Sequence, residues 1–411
     1  MARSSAFAIF LLVMLAVLGG MHWFLWARLV RDTGVPDTWR RLLGGLLALA
    51  ALSMPVAVIV ARRLPFRAAR PIAAVLFTWL GASFLLFMAL LATDLARVLW
   101  AAASWVVALA GGTIEAPSDP SRRVFVARAL AGGAALAAGA ATATSVRIAI
   151  GEPQVKEVAV HLERLPRPLS GFTLAQISDL HVGPTIHEKH VRRVVDMTND
   201  LHPDAIVITG DLVDAGVAQL RLATEHLARL SAPHGVYFVT GNHEYYAGAR
   251  AWLEELERYG IRSLRNERVV LGDRGPGGAS FDLAGVDDWS VARGEPGGWP
   301  ALDAALAGRD PDRSLVLLAH QPRGVSEAVR SGVELQLSGH THGGQIFPWN
   351  LVVGAVYPYC KGLYHHREVY RSGQQNMQRT GQVYVSCGTG YWGPPMRLGA
   401  PAEVGKIVLT A

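Results

Sequence analysis

Charge is scarce in this sequence. Of its 411 residues, 51 % are hydrophobic and only 18 % are Asp, Glu, Lys or Arg, against roughly 25 % charged in an ordinary soluble domain. That balance excludes a disordered or collagen-like chain and argues against a wholly soluble one. Cysteine is almost absent as well. Cys360 and Cys387 stand alone; in an oxidising compartment they could pair, but two thiols do not identify the compartment. Lysine is missing from residues 1–150, which hold 14 Arg and five acids, a net +9, and leave −3 for residues 151–411. The overall +6 is therefore no signature of nucleic-acid binding. The second half has no clustered basic run, and the chain has no internal repeat.

What is present in residues 1–150 is apolar length. Runs at 6–26, 42–61 and 71–93 carry no formal charge, and each is long enough to cross a hydrocarbon core of ~30 Å as a helix. A shorter run spans about 98–114, set off by Asp94 and Arg97, and an Ala/Gly-rich one spans about 124–145 around Arg128. Arg/Asp clusters at 28–41, 62–70 and 115–123 separate them. This pattern predicts a multi-span helical membrane anchor of four or five helices over 1–150. With the N-terminus inside, seven arginines fall inside and five outside, a weak bias. Ser121-Arg122-Arg123-Val124-Phe125-Val126 resembles a twin-arginine export motif, and Ala141-Thr142-Ala143 has the small-x-small form of a cleavage site. Both favour an extracytoplasmic position for residues 151–411, attached to a bacterial cytoplasmic membrane.

From about residue 155 the texture changes. Leu174–Ile177, Ala205–Thr209, Val236–Thr240, Leu315–Ala319 and Leu335–Leu337 are short, apolar and partly β-branched, and read as buried strands. Residues 187–200, 217–231 and 247–259 read as helices, and 272–279 and 291–299 as loops. The result is an α/β domain over 151–411, large enough for a sizeable core. Each predicted strand ends in polar residues: Ser178-Asp179-Leu180-His181, Gly210-Asp211-Leu212-Val213-Asp214, Gly241-Asn242-His243-Glu244, His320-Gln321-Pro322, and Gly339-His340-Thr341-His342-Gly343-Gly344. Open α/β sheets bind ligands outside the carboxyl ends of their strands. Oxygen and nitrogen ligand types at five successive ends, with no cysteine among them, point to a metal site. Alone, His320 would read as a core histidine and Asn242 as a turn residue; within the series both read as ligands.

DxH, GDxxD, GNHE, a lone His and GHTHGG together resemble the motif series of the calcineurin-like metallophosphoesterases. The resemblance covers roughly residues 170–411, and the stretch from GHTHGGQ to GTGYWGPPMRLGAP is similar to a membrane-anchored bacterial branch of that family. It implies a four-layer fold of two packed mixed β-sheets flanked by helices, and a centre of two divalent metal ions, Mn, Fe or Zn. One metal would take Asp179, His181, Asp211 and His342; the other would take Asp211, Asn242, His320 and His340, with Asp211 bridging. Such a pair makes a hydroxide available near neutral pH for in-line attack on phosphorus. His243 would then serve the leaving oxygen, since an imidazole titrates near neutrality. Asp211 and His243 are thus the catalytic candidates, and Asp214 and Glu244 are expected to support ligands or cap a helix.

The remaining histidines, 161, 187, 190, 202, 226, 234, 365 and 366, are expected to be structural or on the surface, with His365 and His366 pointing apart. Arg397 is either a phosphate ligand or an ordinary surface residue, and Trp392 stands near it in sequence. The polar stretch 364–381 and Cys387, where Arg or Asn is commoner in that branch, depart from its pattern and could line the substrate cleft. The expected reaction is hydrolysis of a phosphodiester, with lipid-linked or envelope phosphates as substrates, membrane lipids as surroundings and no nucleic-acid polymer as partner. The enzymatic alternative is a pyrophosphatase of a nucleotide-linked glycolipid. A catalytically silent scaffold, or a sensor or transporter half, is weaker: the ligand set is unbroken, and the apolar runs hold almost no charge apart from Arg128.

Overall fold

A computed structural model of the chain describes residues 2–64, 66–111, 119–273, 275, 278–290, 300–372 and 375–411. The loop expected at 291–299 lies outside the described residues. So do parts of 272–279 and 115–123, the end of the 98–114 run, and two residues of 364–381. The chain divides into two compact units, one of residues 1–147 with 393–396, the other of 148–392 with 397–411.

The first unit is helical. α1 (Ala2–Trp26) runs on into a π-helical turn, Ala27–Arg31, and is followed by α2 (Asp37–Ala50), α3 (Ser53–Arg63), α4 (Phe66–Leu109) and α5 (Pro120–Ile150). Three stretches among the described residues are long and apolar enough to cross a membrane: Leu12–Arg31, Ala68–Leu109 and Pro120–Ile150. Two sequence expectations are corrected here. The 42–61 run is interrupted by a turn at Ala51 and Leu52. The 71–93 and 98–114 runs are not separate, because α4 passes unbroken through Asp94 and Arg97. Its 44 residues span about 66 Å at ~1.5 Å each. The reason is that both charges are paired in place. Asp94 lies 2.7 Å from Arg28 of the π turn and 3.7 Å from Arg97. Arg128, the charge noted inside the last run, donates to the Thr33 carbonyl at 2.8 Å. Leu25, Leu90 and Ala134 form a small buried cluster between α1, α4 and α5.

The second unit is built on two six-stranded mixed sheets. Its elements run β1 (Gln154–His161), β2 (Thr173–Ile177), α6 (Glu188–Asp200), β3 (Ala205–Ile208), α7 (Val217–Thr224), β4 (Val236–Phe238), α8 (Asn242–Ala247), α9 (Ala249–Arg258), β5 (Ile261–Ser263), β6 (Glu267–Gly272) and β7 (Ser280–Gly285). They continue as α10 (Leu302–Leu306), β8 (Leu315–Leu318), α11 (Val325–Arg330), β9 (Leu335–Ser338), α12 (Trp349–Val356), β10 (Gly362–Ser372), β11 (Gln375–Val385) and β12 (Glu403–Thr410). The strand orders are β1-β12-β2-β3-β4-β5 and β10-β11-β9-β8-β7-β6.

The sheets pack face to face. Val160, Leu174, Ala205, Val207, Ile407 and Leu409 of the first share one buried cluster with Val269, Phe281, Leu283, Val316, Leu335 and Tyr384 of the second. The intervening strand residues, such as Ile177, Ile206, Ile208 and Phe238, are equally buried yet absent from that cluster, so the opposite face is covered too. Amphipathic helices do this. α6 buries Val191, Val194 and Val195, spaced three and four apart as a helix face requires, and α9 buries Trp252 and Leu256. On the second sheet, Leu302 and Ala305 of α10 and Ala328 of α11 cluster with Leu315 and Leu317 of β8.

Candidate metal centre

β2, β3 and β4 are parallel neighbours in one sheet, and β8 and β9 in the other. Their carboxyl ends therefore discharge side chains at one edge of each sheet. Asp179 and His181 follow β2, and Asp211 and Asp214 follow β3. Asn242, His243 and Glu244 open α8 after β4; His320 follows β8; His340 and His342 follow β9. The turns are tight. Asp179, His181, Asp211, His340 and His342 all have φ between +50° and +71°, a left-handed region that non-glycine residues enter rarely and hold mainly at functional sites. The adjoining glycines allow the approach. A Cβ on Gly210, itself at φ +85°, would lie 2.6 Å from the Gly241 amide nitrogen, and one on Gly339 would overlap Ser178 Oγ and the Asp179 carboxylate.

The predicted residues converge. Asp179, His181 and His342 bring ligand atoms within 4.8 Å of one another, as do Asp211, His320 and His340, and Asp211 also groups with His181 and His243. His181 Nε2 and His342 Nε2 face each other at 3.1 Å, and His340 Nδ1 and His320 Nε2 at 3.3 Å. Asp211 Oδ2 is 3.1 Å from His320 Nε2 and 3.8 Å from His181 Nε2. His320 donates its Nδ1–H to the Thr209 carbonyl at 2.7 Å, which fixes the tautomer and turns Nε2 toward Asp211. Asn242 is buried, and its Oδ1 is a buried acceptor with no hydrogen-bond partner. An unsatisfied buried oxygen beside carboxylates and converging imidazole nitrogens is the donor set a divalent cation takes up.

A supporting ring of side chains holds these in place. Asp214 Oδ1 accepts from His181 Nδ1 and from His243 Nδ1, both at 2.7 Å. Glu244 accepts from the backbone amides of Gly241, Asp211 and Leu212 at 2.6, 3.0 and 2.8 Å, tying the β3 and β4 loops together. The His243 amide donates to Asp211 Oδ1 at 2.8 Å. Electrostatics follow from burial and charge. Burial pushes the His181 imidazole down, but the Asp214, Asp211 and Asp179 carboxylates outweigh it and lift it to about 9. Burial also raises Asp214, yet the His181 and His243 imidazoles hold it down to about 2. Burial together with the Asp211 charge raises Glu244 to about 7, and burial with the neighbouring His320 lowers His340 to about 3.

Other sequence expectations resolve differently. Arg397 is neither a phosphate ligand nor a surface residue. It is wholly buried, donating to the Gly390 and Ala400 carbonyls and sitting 3.3 Å from His342 Nδ1. The described residues of the polar stretch 364–381 lie on the antiparallel pair β10 and β11, and the far end of that pair is remote from the centre. Val385 pairs with Ser338 beside the candidate ligand loop, whereas Gln375, paired with Ser372, lies ten residues down β11, about 33 Å away at ~3.3 Å per residue. His365 and His366 do point apart. His366 contacts Tyr359, Ser326 and Glu368, while His365 is exposed. Cys360 and Cys387 are both free thiols, and burial raises Cys387 to about 12. Sequence reasoning missed Tyr357, whose hydroxyl lies 3.2 Å from His340 Nε2; no motif marks it. The Trp392 ring stands 5.9 Å from the His243 ring.

With this geometry in hand, the comparisons with known proteins agree. The calcineurin-like phosphoesterase profile matches residues 172–344. A "Transmembrane protein with metallophosphoesterase domain" from Danio rerio is 39 % identical over 261 residues, covering 62 % of this chain and 57 % of the relative. An uncharacterized metallophosphoesterase of Helicobacter pylori is 37 % identical over 63 % of this chain and 65 % of its own length. One from Aquifex aeolicus is 34 % identical over 61 % of this chain and 89 % of its own length. The chain thus spans a little over half of the fish relative and nearly all of the Aquifex one.

Proposed function

Because the chain belongs to the calcineurin-like phosphoesterases, we propose that it is a membrane-tethered hydrolase of phosphodiester bonds working with two divalent cations, Mn, Fe or Zn. The observation that carries this reading is the pair of ligand groups that share Asp211, with the bare Asn242 Oδ1 beside them. Asp179, His181, Asp211 and His342 hold one cation, and Asp211, Asn242, His320 and His340 the other. When bound, such a pair supplies Lewis-acid chemistry, polarising phosphoryl oxygens and lowering the pKa of water.

The protein's own part is positional. His243 gives its Nδ1–H to Asp214, so Nε2 is the nitrogen left to hand a proton to the leaving oxygen. Glu244 keeps the Asp211 backbone in its strained turn. The purified full chain with Mn²⁺ should hydrolyse bis(p-nitrophenyl) phosphate, and EDTA should abolish turnover. Absence of turnover with every divalent cation overturns the reading in favour of a silent binding module.

The three apolar helices and the relative named as a transmembrane protein support membrane association, and a lipid-linked or envelope phosphodiester is the substrate we favour over a nucleic-acid polymer. We place the catalytic unit on the outer face of a bacterial cytoplasmic membrane, supported by Arg122-Arg123 in the first turn of α5. Fusions after residue 150 test this: an active alkaline phosphatase and a dark fluorescent protein are expected. The reverse moves the unit to the cytoplasmic side and favours a nucleotide-linked glycolipid pyrophosphate.

A further inference from the structure

Residues 343–360 contain no Asp, Glu, Lys, Arg or His. Within them lies α12, and none of its residues is buried. Phe347, Trp349, Leu351, Val352 and Val356 are between 46 % and 69 % exposed. Elsewhere in the catalytic unit most aliphatic side chains of the strands and helices point inward, and exposed ones such as Val155, Leu222 and Val369 lie on separate elements. A contiguous apolar surface on one element of a folded unit marks a binding face.

The segment is fastened to the metal centre at both ends. It begins directly after His342, where Gly344 packs against Asn350 so closely that a Cβ would overlap it. After α12 comes Tyr357, whose hydroxyl reaches His340 Nε2 at 3.2 Å. Gln345 joins it to a further exposed aromatic, bonding the Trp392 backbone at 3.0 and 2.9 Å, and the Trp392 ring adjoins His243 at 5.9 Å. The apolar face therefore leads from α12 through Trp392 to the proposed proton donor.

We infer that α12, with Phe347 and Trp392, docks into the headgroup–acyl boundary of a lipid bilayer and so brings lipid-borne phosphate esters to the metal centre. The occupant is a bilayer because the same chain carries three helices apolar enough to cross one, which keeps a lipid surface at high effective concentration. At eight residues, α12 extends about 12 Å, too short to span and suited to lying in the interface. Phe and Trp at its start are the residues that settle at that depth. That the docked lipid is also the substrate rests on the proposed hydrolase; the docking itself does not.

The test uses the full chain in lipid nanodiscs, carrying L351C labelled with an environment-sensitive fluorophore, with the unsubstituted chain labelled in parallel as the background from Cys360 and Cys387. Interfacial helices sit about 5–10 Å into the boundary, so a nitroxide lipid bearing its spin label just below the headgroup should quench the Leu351 position by about twofold or more. Adding V352E and V356E, both at exposed positions, should remove that quenching. Quenching no greater than for a label at exposed Leu222 of α7 overturns the proposal. So does energy transfer between labels on two chains without lipid quenching, which would make a second copy the occupant. Hydrolysis is not read, so failure of docking and failure of the hydrolase reading are told apart.

Discussion

The two units of this chain bury opposite kinds of side chain. In the helical unit many large apolar residues face outward, with Leu136 77 % exposed and Trp100 68 %, as a surface solvated by lipid requires. Three of its acids, Asp32, Asp37 and Asp94, are paired with arginines. In the catalytic unit most aliphatics are inside, and a group of buried acids and histidines crowds one edge of the sheets. The Asn242 oxygen there has no partner. The first unit's charge pairs are closed, although Arg40 Nε and the Ser53 and Thr142 hydroxyls lack a hydrogen-bond partner; in the second unit carboxylates and imidazoles converge and are left open for a ligand. Single polar substitutions should accordingly be severe in the second unit and mild in the first.

The most damaging substitution should be Asp211→Asn. It removes the carboxylate common to both ligand groups, and the several kcal/mol that metal ions contribute to phosphoryl-transfer transition states corresponds to about 10³-fold or more in rate. Metal content by mass spectrometry should fall along with hydrolysis; retention of both metals would show that Asp211 is not shared. His243→Ala should follow, with metals kept and turnover lowered by about 10²- to 10⁴-fold. An unchanged rate would remove His243 from proton transfer.

Asp214→Asn should be milder, about 10- to 100-fold, as for groups that orient ligands without binding the metal. Its pH signature is specific. The folded Asp214 is held at about 2 by the His181 and His243 imidazoles against the opposing effect of burial. Its contribution to stability is thus complete above the ordinary carboxylate range, ~4, and is lost as pH falls toward 2. The variant should lack that acid-side loss in thermal unfolding of the metal-free chain. If wild type and variant fall off together below pH 4, Asp214 is not the titrating group.

The same contrast decided what the sequence made legible. The candidate ligand residues could be read because Asp, Asn or His follows a short apolar strand in register at 179, 211, 242, 320 and 340. Tyr357 and the burial of Arg397 could not be read, because both depend on long-range folding of loops that carry no periodic pattern. The strands β1, β5, β6, β7, β10, β11 and β12 were likewise not singled out; β5 has three residues, and β10 and β11 are largely polar. In the helical unit, composition identified the apolar runs but not where helices end. Asp94 and Arg97 read as a break, yet a helix passes through charges that find partners, whereas the turn at Ala51 and Leu52 is marked only by Ser53 and Pro55 in the first turn of α3.

The smallest effect should come from Asp94→Asn in the helical unit. Asp94 is 2.7 Å from Arg28, but Arg28 also holds Asp32 at 2.6 Å, so the guanidinium keeps an anion when Asp94 is neutralised. Partly exposed ion pairs and interhelical polar contacts in membranes each contribute about 0.5–1 kcal/mol, and the variant should lose no more than that in thermal unfolding. Hydrolysis of the soluble diester should stay within about twofold, the level of substitutions outside strained or ligand-bearing positions. Removing both acids, D32N with D94N, should be distinctly worse than the sum of the single changes. Arg28, near the end of the first apolar stretch, would then sit without either carboxylate. A large loss from Asp94→Asn alone would mean that the helical unit, too, depends on one irreplaceable buried charge, and the distinction between closed and open polarity would fail there.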